Sequence, residues 1–148
     1  SLQHVTALAD IKNNSEKVYL FIRPDLAYID KLPLQLVNQC LENRGEGLVY
    51  TPDWGTYYLA ERNDRFAIAT QKAALLYGGR LSAAKEYAKK RKLHSEEFLG
   101  RTISKYNREG LAVRALRVRA NGGLCATDIG IFNLTDKDIE TLKREYSL

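Results

Sequence analysis

Leu48-Val49-Tyr50-Thr51-Pro52-Asp53-Trp54-Gly55-Thr56-Tyr57-Tyr58-Leu59-Ala60 is the stretch that decides the fold class. Two β-rich runs, 48–51 and 56–60, flank a proline–aspartate–tryptophan–glycine turn. Proline presets φ for a turn, aspartate can bond its own backbone, and glycine accepts positive φ. The spacing predicts a hairpin. Asn63-Asp64 makes a second turn, and Phe66-Ala67-Ile68-Ala69 supplies a third antiparallel strand. The sheet predicted here, with helical runs on both sides, places the chain in the α+β class.

Upstream, Leu2, Val5, Leu8 and Ile11 recur at helical spacing until Asn13-Asn14. Val18 to Ile22 reads as a buried strand, broken by Arg23-Pro24-Asp25. Pro33 opens a helix whose Leu34, Val37, Cys40 and Leu41 form one apolar face, closed near Gly45 and Gly47. Downstream, Gln71–Tyr77 reads as a short helix ending at Gly78-Gly79. A second runs from Ser82 to about Leu93, and a third from Ser95 to about Asn107. Residues 111–119 fit either a helix face or strand alternation. Asn121-Gly122, followed by the β-like run Cys125–Phe132, favours a hairpin. Thr135-Asp136-Lys137-Asp138 is a capping box opening a last helix that carries Ile139, Leu142 and Tyr146.

The 148 residues suit a single compact domain, 1–148. A subdivision into an α/β part, 1–70, and a basic part, 71–148, is the alternative. Hydrophobic residues make up 45% and charged residues 28%, close to an ordinary globular chain, so disorder is not expected. No apolar run approaches a membrane span, and Ser1 to Val5 lacks the basic start and apolar block of a secretory signal. The expectation is a cytoplasmic protein with no membrane partner. Methionine is absent even at position 1, which points to a processed chain or a piece of a larger parent protein. Cys40 and Cys125 each sit among apolar neighbours and read as buried thiols, although a bridge between them stays open.

Charge is distributed unevenly. Residues 72–120 carry 13 Lys and Arg against 4 Asp and Glu, a net +9, while 1–71 and 121–148 are each net −2 (7 against 9, and 3 against 5). Such a field favours polyanions. In the first basic helix Lys85, Lys89 and Lys92 fall at i, i+4, i+7. In the next, Arg101, Lys105 and Arg108 repeat that spacing beside a buried set of Phe98, Leu99 and Ile103. The connection lies around His94, which reads as a turn residue. Ser95-Glu96-Glu97-Phe98-Leu99-Gly100-Arg101-Thr102-Ile103 resembles the recognition helix of a helix-turn-helix unit in its order of serine, apolar pair, arginine and isoleucine. Phe98 stands where such units carry a small residue, Gly100 weakens the helix, and no glycine marks the turn.

The resemblance covers about a fifth of the chain. It implies Arg101, Lys105 and Arg108 in a major groove and Lys85, Lys89 and Lys92 on phosphates. Arg117 and Arg119 would sit on a hairpin that acts as a wing. The leading expectation is a winged-helix-like second half that binds nucleic acid, most simply duplex DNA, in a regulator or mobile-element protein. Gly100 would admit another backbone at close range.

Two alternatives stay open. Asp25, Asp30, Glu42, Asp53, Glu61 and Asp64 invite a metal-dependent nuclease. Pro52-Asp53 followed by Glu61 resembles the Pro-Asp…Asp/Glu-x-Lys nuclease pattern, but the lysine position holds Asn63. A non-catalytic interaction domain, docking its basic face on an acidic protein, is the other. Tyr50, Tyr57 and Tyr58 are expected in the core rather than as base-stacking platforms, and Trp54 is expected to fold back over its own turn. Two histidines and two cysteines, far apart, make no zinc spacing, and phosphate-loop, nucleophile-elbow and dinucleotide motifs are lacking, so no cofactor and no metal are expected. Other domains of a parent protein or a second copy are the further partners expected.

Overall fold

The computed structural model describes residues 17–56 and 58–148, so the helix expected over 2–12 and the side chain of Tyr57 lie outside the described residues. In chain order the elements are β1 (Val18–Ile22), β2 (Leu26–Tyr28), α1 (Leu34–Glu42), β3 (Val49–Pro52), β4 (Phe66–Thr70), α2 (Gln71–Ala88), α3 (Ser95–Ile103), β5 (Asn107–Leu111), β6 (Ala115–Arg117), α4 (Ala126–Phe132) and α5 (Asp136–Tyr146). The class is α+β, with small, mostly antiparallel sheets. The chain divides into two compact units. Unit 1 takes Ser1–Ile22 and Pro33–Leu111, and unit 2 takes Arg23–Leu32 and Ala112–Leu148.

Unit 1 is organised by β4. All five of its residues are buried, as the apolar run Phe66-Ala67-Ile68-Ala69 requires of a central strand. It pairs antiparallel with β1 on one side and β3 on the other, and β5 joins β3 in parallel, giving the order β1-β4-β3-β5. Thr70, fully buried, ties down the loop that leads into β3: its hydroxyl donates to the Glu46 carbonyl (2.7 Å) and accepts from the Leu48 N–H (3.0 Å). One side of the sheet packs Val49, Ala67 and Ala69 against Ala73, Ala74 and Tyr77 of α2 and Leu99 and Ile103 of α3.

Three expectations are corrected within unit 1. The strand expected over 56–60 does not form at its described residues 56 and 58–60: Tyr58 and Leu59 are exposed, and the Glu61 N–H closes a turn on the Tyr58 carbonyl (2.9 Å). The Arg62 guanidinium takes the Leu59 and Glu61 carbonyls (3.0 and 2.6 Å), so the backbone is satisfied locally rather than in a ladder. Next, α2 runs unbroken through Gly78-Gly79. Two helical glycines cost about 1 kcal/mol each, and the buried Ala73, Ala74 and Tyr77 outweigh that by anchoring the helix on the sheet. Finally, α3 ends at Ile103, because Tyr106 and Asn107 are drawn into sheet pairing: the Val49 N–H donates to the Tyr106 carbonyl (2.9 Å), and Asn107 pairs with Val49. The apolar face expected on α1 is buried at Cys40 only, and Leu34 and Leu41 are exposed.

Gly100 does admit a backbone. A Cβ there would fall 1.8 Å from the Ala60 carbonyl oxygen, so α3 and the 58–62 turn lie in contact that only glycine permits. The Arg62 N–H donating to the Glu96 carbonyl (3.0 Å) fixes the same junction.

Unit 2 is built on β2 and β6, antiparallel, with Leu26, Ala27, Ala115 and Leu116 buried. Strand thus prevails over helix for the ambiguous segment, at 115–117. The Asn121-Gly122 turn forms as expected: Gly122 has φ +78°, the Arg119 N–H donates to the Gly123 carbonyl (2.7 Å), and Val118 bridges Leu124. Beyond it the expectation is corrected, since Ala126–Phe132 is helix α4 rather than a second strand. The helix carries Asp128 into full burial, where its carboxylate accepts the Arg117 backbone N–H (2.8 Å). That bond outweighs the alternating Thr127, Ile129 and Ile131 pattern, which suggests a strand. The Thr135–Asp138 capping box opens α5 as read, with Leu142 buried. Tyr146 reaches β2, its hydroxyl donating to the Tyr28 carbonyl (2.9 Å) and accepting the Tyr28 N–H (2.7 Å). Both cysteines are free and buried, and burial pushes the Cys40 thiol up to about 11. No helix among the described residues is long and apolar enough to cross a membrane.

Candidate nucleic-acid interface

The end of α2 collects cations. The helix ends at Ala88, just after Tyr87, whose ring lies 4.8 Å from that of Phe98. Lys85, Lys89, Lys90, Arg91 and Lys92 are all exposed. Their single ion pair is Lys89 with Glu86 (2.6 Å), which leaves Lys85, Lys90 and Lys92 without an ionic partner among the described residues. The negative end of the helix dipole favours positive charge at this location. The helix expected to about Leu93 ends at Ala88, so Lys89 and Lys92 lie past it and the i, i+4, i+7 helix face expected of Lys85, Lys89 and Lys92 does not form. The bare run Lys89-Lys90-Arg91-Lys92 carries the signal.

The second stripe does not form as a helix face. Arg101 lies on α3 and is committed to Glu97 one turn earlier (2.8 Å). The hydrogen bond from Arg101 holds the Glu97 carboxyl below its ordinary range, with smaller contributions from Tyr87 and Arg91. Arg91 and Arg101 thus flank one carboxylate. Lys105 sits in the turn after α3, its ammonium 5.6 Å from the centre of the Tyr106 ring. Arg108 lies on β5, an edge strand. The helix is too short to carry Lys105 and Arg108 beside Arg101.

Arg117 and Arg119 belong to unit 2, whereas the helical pair belongs to unit 1. Arg117 ends β6, and its Nε is buried without a hydrogen-bond partner. Arg119 follows, its guanidinium 3.4 Å from the Cys125 sulfur.

Arg108 meets a cleft. The parallel pairing of β3 with β5 and the residues 53–56 and 58–62 border a cleft of about 660 Å³, lined by Thr51, Asp53, Tyr58, Glu61, Asn107 and Arg108 among others. Thr51 donates its hydroxyl to the Asn107 side-chain oxygen (3.1 Å). Glu61 is 4% exposed. Its carboxylate accepts the Tyr58 N–H (3.3 Å) and lies 3.5 Å from His94 Nδ1. His94 occupies the cap position of α3, in the turn where it is expected, and also faces Glu96 (3.6 Å). Burial raises the Glu96 carboxyl, but hydrogen bonds from Ser95 and its own backbone, with His94 and Arg65, bring it below the usual value. Asp53 is exposed and has no hydrogen-bond partner among the described residues.

Asp53 and Glu61 therefore do share a cleft, as the nuclease pattern requires. Among the described residues no group of three or more His, Cys, Asp or Glu side chains is placed to hold a metal ion. Asp25 and Asp30 serve otherwise, paired with Arg23 (2.7 Å) and Arg114 (2.8 Å) in unit 2. Of the tyrosines, Tyr50 is core, with its hydroxyl donating to Gln39 (2.6 Å), whereas Tyr58 is 75% exposed at the cleft mouth, against expectation. Trp54 is half-buried beneath the Arg65 guanidinium (5.0 Å). No protein-family model, curated protein or solved structure matches the chain.

Proposed function

We propose that unit 1 binds nucleic acid, with duplex DNA as the simplest partner, through the basic end of α2. The observation that carries this reading is the cluster Lys85, Lys89, Lys90, Arg91 and Lys92: five exposed cations within one stretch, offset by Glu86 alone. Lysines on flexible stems, without a fixed ionic partner, suit phosphates better than base edges. Arg101, held by Glu97, acts at the flank of this patch, where a phosphate competes with the carboxylate for its guanidinium. Binding is thus dominated by backbone contacts, and sequence reading by α3 is secondary.

The test is a titration of a fluorescent duplex at several salt concentrations. Each neutralised phosphate contributes about 0.9 to the slope of log affinity against log salt. A Lys85→Ala/Lys90→Ala/Lys92→Ala protein should bind more weakly and show a slope shallower by roughly 3. An unchanged affinity and slope would remove the assignment of the α2 end.

A further inference from the structure

We propose that the cleft beside β3 and β5 holds one unpaired guanine nucleotide, an inference that rests on the nucleic-acid reading and names the chemistry of a second site in the same unit. The cleft joins three features that nothing in the fold consumes. Asp53 presents an exposed carboxylate without a hydrogen-bond partner among the described residues. Arg108 spends one guanidinium N–H on the neighbouring Asn107 carbonyl (3.1 Å) and keeps the others. Tyr58 and Leu59, 75% and 99% exposed, stand at the rim, where a large apolar surface on a short turn is otherwise costly to leave in water.

Register gives the spacing. Arg108 pairs with Tyr50, and Asp53 lies just past the end of β3, three residues beyond Tyr50, a stretch of chain that spans at most roughly 10 Å. A nucleotide places its base edge and its phosphate on either side of a sugar, a span of that order. The phosphate belongs at Arg108 and the base at Asp53, with Tyr58 able to stack on its face, the recurring arrangement for unpaired bases.

The carboxylate selects the base. Guanine carries two adjacent donors on its Watson–Crick edge, the ring N–H and the amino group, which match the two oxygens of Asp53. Adenine and cytosine offer an amino group beside a ring nitrogen that is itself an acceptor and is repelled. Uracil and thymine set one N–H between two carbonyls. The hydroxyl of Thr56, also in the lining, is a donor suited to the guanine carbonyl. Glu61 does not compete for the base, because its carboxylate is buried against the Tyr58 N–H and His94.

Trp54 is the single tryptophan, and its neighbour Asp53 lines the cleft, so its fluorescence reports occupancy. The full chain is titrated with GMP, AMP and inorganic phosphate. GMP should bind about tenfold more tightly than AMP, the scale of one bidentate base contact, and phosphate alone more weakly than either. Asp53→Asn should erase the GMP preference while its circular dichroism stays that of the parent, since an amide offers one donor and one acceptor. Arg108→Ala should weaken GMP and AMP in parallel and leave their ratio intact. Equal binding of GMP and AMP, a preference that survives Asp53→Asn, or phosphate binding as tight as GMP would each overturn the proposal. The duplex titration reads a salt slope and this one a base ratio, so failure of one is distinguishable from failure of the other.

Discussion

In unit 1 the sheet is held by apolar burial. Val49, Ala67, Ala69, Leu99 and Ile103 are essentially inaccessible and pack directly on Ala73, Ala74 and Tyr77. In unit 2 the sheet buries Leu26, Ala27, Ala115 and Leu116, joined by Val113, Cys125 and Leu142, and polar links fasten its periphery. Asp128 takes the Arg117 N–H, Tyr146 closes both backbone bonds of Tyr28, and Asp30 grips Arg114 through its side chain and its backbone N–H. A two-stranded sheet is marginal by itself, so directional bonds from α4 and α5 do there what a continuous core does in unit 1. The lesson is that the units should fail differently. One loses stability with volume, the other with single hydrogen-bond partners and with acid.

The largest expected effect is in unit 1. Leu99→Ala empties a fully buried site between α3 and the sheet, and a cavity of this kind costs about 3–4 kcal/mol. Urea denaturation measures the loss, and amide exchange locates it in β3, β4 and α2. Exchange that quickens equally in β2 and β6 would break the comparison, because it would mean one cooperative core rather than two. Asp128→Asn comes next. The amide can still accept the Arg117 N–H, but it buries an N–H₂ group that needs a partner of its own, at a cost of about 1–3 kcal/mol. Exchange at β6 and α4 should quicken while β4 is unaffected. A silent substitution would show that burial, and not this bond, holds α4 in place.

Local chemistry was legible and long-range pairing was not. Phe66–Ala69, the Thr135–Asp138 box, the Asn121-Gly122 turn and the approach at Gly100 each follow from a few adjacent residues, whereas Val18–Ile22 is a strand as read but not a buried one, with Leu20 and Ile22 exposed. The misreadings share a cause. At 56–60 and 125–132 a β-like pattern yields to distant or side-chain bonds, Arg62 to local carbonyls and Asp128 to the backbone of β6. Gly78-Gly79 looks like a stop until tertiary burial of α2 is counted. Of the candidate site, the lysine run was readable as charge, and the Glu97–Arg101 pair is implicit in its i, i+4 spacing. The cleft was not readable, because it exists only once β5 pairs in parallel with β3, residues far apart in the chain.

The smallest effect is the response of unit 2 to acid. Hydrogen bonds from Arg23, Arg114 and Thr135 hold the carboxyls of Asp25, Asp30 and Asp138 below the ordinary value of 3.8. A depressed folded-state value means that the unfolded chain binds protons first as pH falls. The stabilisation is therefore complete above 3.8, declines as pH drops below it, and is lost through the folded-state values. The Asp30–Arg114 pair is partly exposed, at 30% and 44%, so water and salt screen it and its contribution stays below about 1 kcal/mol despite the bidentate geometry. Asp30→Asn should flatten the acid limb of the exchange profile at β2 and β6, with little change at neutral pH beyond that small loss. Added salt should shrink the difference between the two proteins further. An acid limb that is identical with and without the Asp30 carboxylate would transfer the acid sensitivity of unit 2 to Asp25 and Asp138, and would leave Tyr146 and Asp128 as the bonds that secure its sheet.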